Sequence, residues 1–418
     1  MRRGRVLVVA AAAASVLAVA GCTTDTPTDA GPEVSASAPA GGEESEGSAE
    51  GEDSAEEEDS GGEFFVQADY ERQLAQRDLE PEGDESQPWL QAIEPEMVDT
   101  QEFATEGAKT LCFSNASISN PWRVTGFITM QQQVDVLTES GDIGEFRVSD
   151  AGDDDNKQIS DIQAFVDAGD CDAIIVSPST TATLTPAVEA ACASGAPVIV
   201  FDRGVNTDCP VTFIHPIGGY AYGADGAEFL VDNLEPGSTV LALRILPGVD
   251  VLENRWAAAD KIFGESDLEV LGFEFTGGDG AKIKDIVTQY LQRGDVDGIW
   301  MDAGDGSVAA IEAFEDAGKD YPVMVGEDEL SFMRKWQETD MTAIAPVYSN
   351  FQWRTPVLAA QMIWNGEEVP SEWVLPQVPI TEEDRDEYLD RNAEMPSLHY
   401  AKFGGEELPG YPEVWQDR

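Results

Sequence analysis

From Lys109 onward the chain alternates short β-branched or apolar runs with longer amphipathic stretches, the pattern of a parallel sheet joined by crossover helices. The first half predicts strands near Thr110–Asn115, Glu145–Ser149, Ala173–Ser177 and Pro197–Asp202. Helices are expected from Pro121, over Lys157–Asp167 and over Thr183–Ser194. Proline suits a first helical position, and Ser119 or Asn120 can cap it. After Asp202 the rhythm restarts, with strands near Thr239–Arg244, Glu269–Phe275, Gly298–Met301, Val323–Gly326 and Thr342–Pro346. Roughly 310 residues exceed one comfortable core and fit two α/β lobes. The expected N-terminal lobe is 109–215 plus about 348–373, and the C-terminal lobe about 216–347 plus 374–418. Connecting strands near Phe213–His215 and Tyr348–Asn350 would form the hinge.

Ahead of this region, Arg2, Arg3 and Arg5 precede an apolar run from Val6 to Ala20 that is too short to span a bilayer. The order of charge, apolar run, small residues and cysteine at Val19-Ala20-Gly21-Cys22 resembles the bacterial lipobox. That resemblance implies a signal peptide over 1–21 and a lipidated Cys22 tethering an extracytoplasmic protein to the cell membrane. Apart from Cys22 and Val34, residues 22–63 hold Thr, Pro, Ala, Ser, Gly and acid with no Lys or Arg, a composition that cannot bury a core and reads as an extended stalk. Residues 64–108 are mixed, with Phe64-Phe65-Val66, an acidic helical stretch near Tyr70–Leu79, Trp89 and Phe103. They read as an extension wrapping onto the main domain.

The 418 residues include 24 basic and 81 acidic ones, a formal net charge of −57. Nucleic acid and anionic surfaces are poor partners for such a chain. The acidity extends beyond the stalk and suits solubility or salt tolerance.

Apart from Cys22 there are Cys112, Cys171, Cys192 and Cys209, which can pair in three ways in an oxidising compartment. A 192–209 bridge would clamp a loop, and Cys112 with Cys171 would then lie near the starts of two neighbouring strands. Four free buried cysteines are the alternative.

In open parallel sheets ligands bind beyond the carboxyl ends of the strands. The residues there form a consistent set: Asn115, Ser119, Asn120, Trp122 and Arg123 after the first strand, and Asp202 and Arg203 after the fourth. The second lobe adds Arg255, Asp302, Asp305 and Asp328, and Tyr348 lies in the hinge. Carboxylates accept from adjacent hydroxyls, guanidinium forks donate to hydroxyl and ring oxygens, and an indole face covers C–H groups. The mixture suits a monosaccharide or related small polyol.

These residues carry a resemblance. The chain from Lys109 to about Pro376 resembles the type 1 periplasmic sugar-binding proteins of ABC importers, the ribose and galactofuranose binders. Ser119-Asn120-Pro121-Trp122-Arg123 is similar to the family's first binding loop, closer to the galactofuranose type. Pro197–Arg203 matches its strand ending in Asp-Arg, and Arg255 falls where a sugar-binding arginine is expected. Asp302-Ala303-Gly304-Asp305 resembles the loop that usually carries Asn-Asp, and Gly326-Glu327-Asp328 resembles Gly-Phe-Asp. Ala303 in place of asparagine, and Val347-Tyr348 near the usual hinge glutamine, are departures that bear on ligand identity. The resemblance implies two Rossmann-like lobes with parallel sheets closing on a sugar. It also implies delivery to permease and ATPase subunits, with the receptor acting as a monomer and no cofactor.

Enzyme chemistry finds little here. His215 and His399 are the sole histidines, and there is no Gly-x-Ser-x-Gly elbow, no P-loop and no complete Gly-x-Gly-x-x-Gly. Asp153-Asp154-Asp155-Asn156 has calcium-like oxygen density without the glycine and terminal glutamate of a calcium loop, so no metal is expected. A receptor presenting ligand to a sensor or chemoreceptor is the alternative function, as is a binder of a cyclitol, amino sugar or other cationic small molecule.

Overall fold

Near-continuous apolar runs such as Leu111–Phe113 and Ile174–Val176 suit strands buried on both faces. The computed structural model, which describes residues 65–304 and 306–416, places them inside parallel sheets. Cys22, the segments expected to be signal peptide and stalk, and Asp305 lie outside the described residues.

The described chain starts with helix α1 (Gln67–Gln76) and the short strand β1 (Met97–Val98). The first lobe follows as β2 (Lys109–Asn115), α2 (Pro121–Ser140), β3 (Ile143–Asp150), α3 (Asp155–Ala168), β4 (Ala173–Ser177), α4 (Thr181–Ala193), β5 (Val198–Phe201) and β6 (Thr212–Pro216). The second comprises α5 (Gly219–Asn233), β7 (Thr239–Arg244), α6 (Asp250–Gly264), β8 (Glu269–Phe275), α7 (Gly280–Arg293), β9 (Gly298–Met301), α8 (Ser307–Ala317), β10 (Val323–Val325), α9 (Leu330–Thr339) and β11 (Ala343–Ile344). The chain then returns through α10 (Thr355–Asn365), β12 (Val369–Pro370) and β13 (Glu372–Leu375), and ends with α11 (Glu382–Arg391) and α12 (Glu413–Gln416).

The first lobe's sheet has the order β13-β6-β5-β4-β2-β3 and the second's β11-β10-β9-β7-β8, each parallel throughout. Alternate residues feed opposite faces. Leu111, Phe113, Ile175, Ile199 and Phe201 enter one core, and Ile174, Val176, Val198 and Val200 the other. In the second lobe Leu241, Leu243 and Ile299 oppose Val240, Ala242 and Trp300 in the same way.

Two expectations change. The strand Glu372–Leu375 pairs with β6, so the first lobe runs two residues past the expected boundary at 373. Tyr348–Asn350 is not a strand. Pro346 cannot donate to a ladder, and the chain instead turns into a 3-10 helix, Asn350–Trp353, that sinks Phe351 and Trp353 into the first core. The three crossings between lobes are bonded to one another. Gln377 Nε2 and Oε1 pair with Gly218 O and N at 3.1 and 2.9 Å, Ser349 Oγ donates to Pro376 O at 2.9 Å, and Ala345 and Ile380 form a backbone bridge.

The four described cysteines form two disulfides, Cys112–Cys171 and Cys192–Cys209, rather than four free thiols. The N-terminal extension touches both lobes. On α5, Phe65 and Tyr70 pack with Tyr220, Gln73 Oε1 accepts from Tyr220 N at 2.9 Å, and Arg77 pairs with Asp225 and Glu228. Further on, Trp89 joins the first lobe's core and β1 pairs antiparallel with β12.

Candidate functional site

Each strand of a parallel sheet ends at the same edge, so the loops after β2, β4 and β5 gather beside one another. Asn115 ends β2, buried, with Nδ2 donating to Ser117 O and Asp150 Oδ2, both at 2.9 Å, while Oδ1 has no partner. Asn120 caps α2. Its Oδ1 accepts from Arg123 N at 2.9 Å, which spends on the helix the oxygen expected for a ligand and leaves the amide nitrogen. That cap sets the direction of α2's first turn and so of Trp122 and Arg123.

Arg123 reaches across the sheet edge to Asp202, Nη2 to Oδ2 at 2.9 Å, with both side chains almost completely buried. Its Nη1 has no partner. Asp202 adopts φ 70°, in the left-handed region that costs an ordinary residue energy and recurs at functional loops. This turn carries the chain out of β5 and presents Arg203, whose Nη1 donates to Ser179 O. Burial, with Arg123 beside it, lowers the Arg203 pKa.

On the second lobe, Arg255 projects from α6 with its guanidinium 3.8 Å from the Tyr222 ring centroid and 5.0 Å from that of Tyr348. Nη1 donates to Asp302 O and Nε is buried without a partner. The placement depends on close packing of α5 against α6, since a Cβ on Gly223 would stand 1.9 Å from the Arg255 carbonyl oxygen. Asp302, at the end of β9, is wholly buried. Oδ1 accepts from Ile245 N at 2.9 Å, Oδ2 has no hydrogen-bond partner, and burial pushes the pKa up to about 7.

Tyr348 joins the halves. Its hydroxyl donates to Asp202 O at 3.1 Å, and its carbonyl accepts from Trp122 Nε1 at 3.0 Å. Trp122, Arg123, Asp202, Tyr348 and Arg255 therefore form one chain of contacts, which Asp302 extends through Arg255, and Arg203 follows Asp202 with its side chain turned to Ser179. At the mouth the lobes touch, Thr181 Oγ1 donating to Asp250 Oδ2 at 2.8 Å.

Asp328 follows β10 and is held by the C-terminal segment. Its Oδ2 accepts from Lys402 N at 2.8 Å and its carbonyl from Ala401 N, so the C-terminal segment covers it; Oδ1 is buried without a partner, and burial raises the pKa to about 6. The acidic loop at 153–155 is engaged in structure: Asp154 caps α3, and Asp155 accepts from Ser179 and Thr180. Among the described residues no group of three or more His, Cys, Asp or Glu is arranged to hold a metal ion.

Sequence reasoning missed Arg244 and Glu253. Arg244 is buried, pairs with Glu253, lies 4.8 Å from the Phe275 ring centroid and has Nε 3.9 Å from Asp302 Oδ2. A charged residue closing an apolar strand was the available signal. Tyr222, which lies under Arg255, carried none.

Two parallel-sheet lobes with a polar seam and three crossings define a hinged binding protein. A family model described as the periplasmic binding protein domain matches residues 111–368, and the chain belongs to that family, which is made up of solute-binding proteins. The chain is 23% identical over 261 residues to the ribose import binding protein of Bacillus subtilis, covering 62% of this chain and 83% of the relative. Two solved structures share the fold. One is a solute-binding protein from Bacillus halodurans with bound myo-inositol, at TM-score 0.60 and 21% identity over 68% of this chain and 98% of that one. The other is a protein from Mycobacterium smegmatis in complex with β-D-fucofuranose, at TM-score 0.60 and 20% identity over 68% and 95%.

Proposed function

We propose that the protein captures a monosaccharide or related small polyol between its lobes and hands it to an ABC importer, with no catalytic role. The observation that carries this is the set of buried polar atoms without a hydrogen-bond partner near the strand ends: the donors Arg123 Nη1 and Arg255 Nε, and the acceptors Asn115 Oδ1 and Asp302 Oδ2. Buried polar groups are normally satisfied, and hydroxyls, which both donate and accept, match a mixed set. Asn120, Trp122, Arg203 and Tyr348 complete the proposed contacts. Asp305 belongs to the same proposal by sequence, and Asp328 contributes through Oδ1.

A cationic ligand fits less well. Arg123, Arg203 and Arg255 crowd the seam, and burial holds Asp302 toward its neutral form. Cyclitols stay within the same chemistry, as the inositol-bound structural relative illustrates. Hinge closure would present the closed form to permease and ATPase subunits. Removal of residues 1–21 and lipidation of Cys22 would keep the monomer outside the cytoplasm, anchored to the cell membrane, with 22–63 as its stalk.

The test is a thermal-shift screen of the purified chain against pentoses, hexoses, furanose forms, inositols and polyamines. A ligand at a hundredfold excess over its dissociation constant stabilises by about 2.7 kcal/mol. A sugar or inositol shift absent from Arg203→Ala supports the proposal. A response confined to polyamines overturns it.

A further inference from the structure

We propose that the Cys192–Cys209 disulfide is a positioning element of the ligand site, holding the loop that presents Arg203 against α4. The inference rests on the binding site proposed above. Asp202 and Arg203 open the connection between β5 and β6, and every residue from Arg203 to Val211 is half-buried or exposed, so core packing alone does not fix its path.

What fixes it is α4. Val205 packs into the cluster containing Leu184 and Val188, Asn206 N donates to Thr185 Oγ1 at 2.9 Å, and Cys209 is bonded to Cys192 near the helix's end. The same helix begins at the mouth. Ser179, just before it, supplies the carbonyl that receives Arg203 and has its own N–H held by Gln158 Oε1 at 2.8 Å, while Thr181 makes the contact to Asp250 across the lobes. One rigid helix thus carries the anchor of the loop at one end and the acceptor of the loop's arginine at the other. The second disulfide is arranged otherwise. Cys112 is wholly buried within β2, and Cys171 lies just ahead of β4, so that bond staples the sheet.

Releasing the loop lets Arg203 sample more positions, and binding must then immobilise it, which weakens affinity by about tenfold. The experiment compares wild type with the Cys192→Ser/Cys209→Ser double variant by titration with D-ribose and myo-inositol, and repeats the comparison in an Arg203→Ala background. The expected result is a tenfold weaker dissociation constant in the first comparison and no further loss in the second, because the disulfide acts through the arginine. The Cys112→Ser/Cys171→Ser variant should lose thermal stability at unchanged affinity. Wild-type affinity in the Cys192→Ser/Cys209→Ser variant, or the same loss with Arg203 already removed, overturns the inference.

Hydrogen exchange of the amides at 204–208 decides the matter separately from the ligand. Faster exchange in the double variant supports positioning, and unchanged exchange overturns it. If the wild type binds neither probe, the affinity comparison is made with the ligand found by thermal shift, while this readout still judges the loop.

Discussion

The hydroxyl of Tyr348 donates to the backbone carbonyl of Asp202 at 3.1 Å. That bond locks a hinge residue to the residue whose left-handed turn presents Arg203. Arg255 from the second lobe lies over the same ring. Tyr348→Phe removes the bond and keeps the ring. Affinity should fall by about 1 kcal/mol, the usual net worth of one hydrogen bond, with melting little changed. Calorimetric titration with the sugar found by thermal shift checks this.

Asp202 and Arg203 should separate in their effects. Asp202→Ala leaves the Arg123 guanidinium buried without its carboxylate, and breaking such a pair costs about 3–5 kcal/mol of stability. Arg203→Ala breaks a bond to a backbone carbonyl and leaves no buried charge behind. It should cost about 2–4 kcal/mol of ligand affinity, with a smaller change in denaturant midpoint than Asp202→Ala. Equal destabilisation by the two would contradict this reading.

Asp302 makes stability depend on pH. Burial raises its folded pKa to about 7, against an ordinary aspartate value of about 4. Between those values the folded chain keeps a proton that the unfolded chain has lost. Its contribution to stability therefore falls as pH rises through that window, by up to about 1.4 kcal/mol per pH unit. Asp302→Asn should flatten this part of the melting-temperature profile and be the more stable form above pH about 7. Identical profiles for variant and wild type would refute the assignment.

Gly223→Ala should weaken ligand binding from a position that touches no ligand. The added methyl would meet the Arg255 carbonyl oxygen at 1.9 Å, backbone that cannot turn aside. α6 must move away from α5, taking Arg255 off the Tyr222 face. Loss of both melting temperature and affinity is expected, the affinity loss being absent in an Arg255→Ala background.

With a formal net charge of −57, self-repulsion opposes the folded state. Raising sodium chloride from about 0.05 M to about 1 M should raise the melting temperature, since the Debye length falls to about 3 Å. A flat response would show that the acidic surface is locally compensated.

Much of the fold was legible because buried parallel strands are apolar on both faces, as at Ile174–Val176, and because helix starts such as Asn120-Pro121 carry local chemistry. Asp202-Arg203 was legible for the same reason, as charge closing an apolar run. The return of Glu372–Leu375 to β6 was not, because pairing between segments so distant in sequence leaves no local trace. Asp328 illustrates a second limit: a residue type at a strand end gives its position, whereas its partner, Lys402 N, comes from a segment with no periodic signal. Arg244 offered the same signal, charge closing the apolar run of β7.

The N-terminal extension has a mechanical consequence. α1 is docked on the second lobe and Trp89 is embedded in the first. The segment from Arg77 to Pro88 therefore links the lobes as a fourth connection, and a chain of that length reaches at most about 40 Å. However far the hinge would otherwise swing, this tether sets an outer stop. Opening beyond it requires α1 to peel from Tyr220 and Arg77 to leave Asp225.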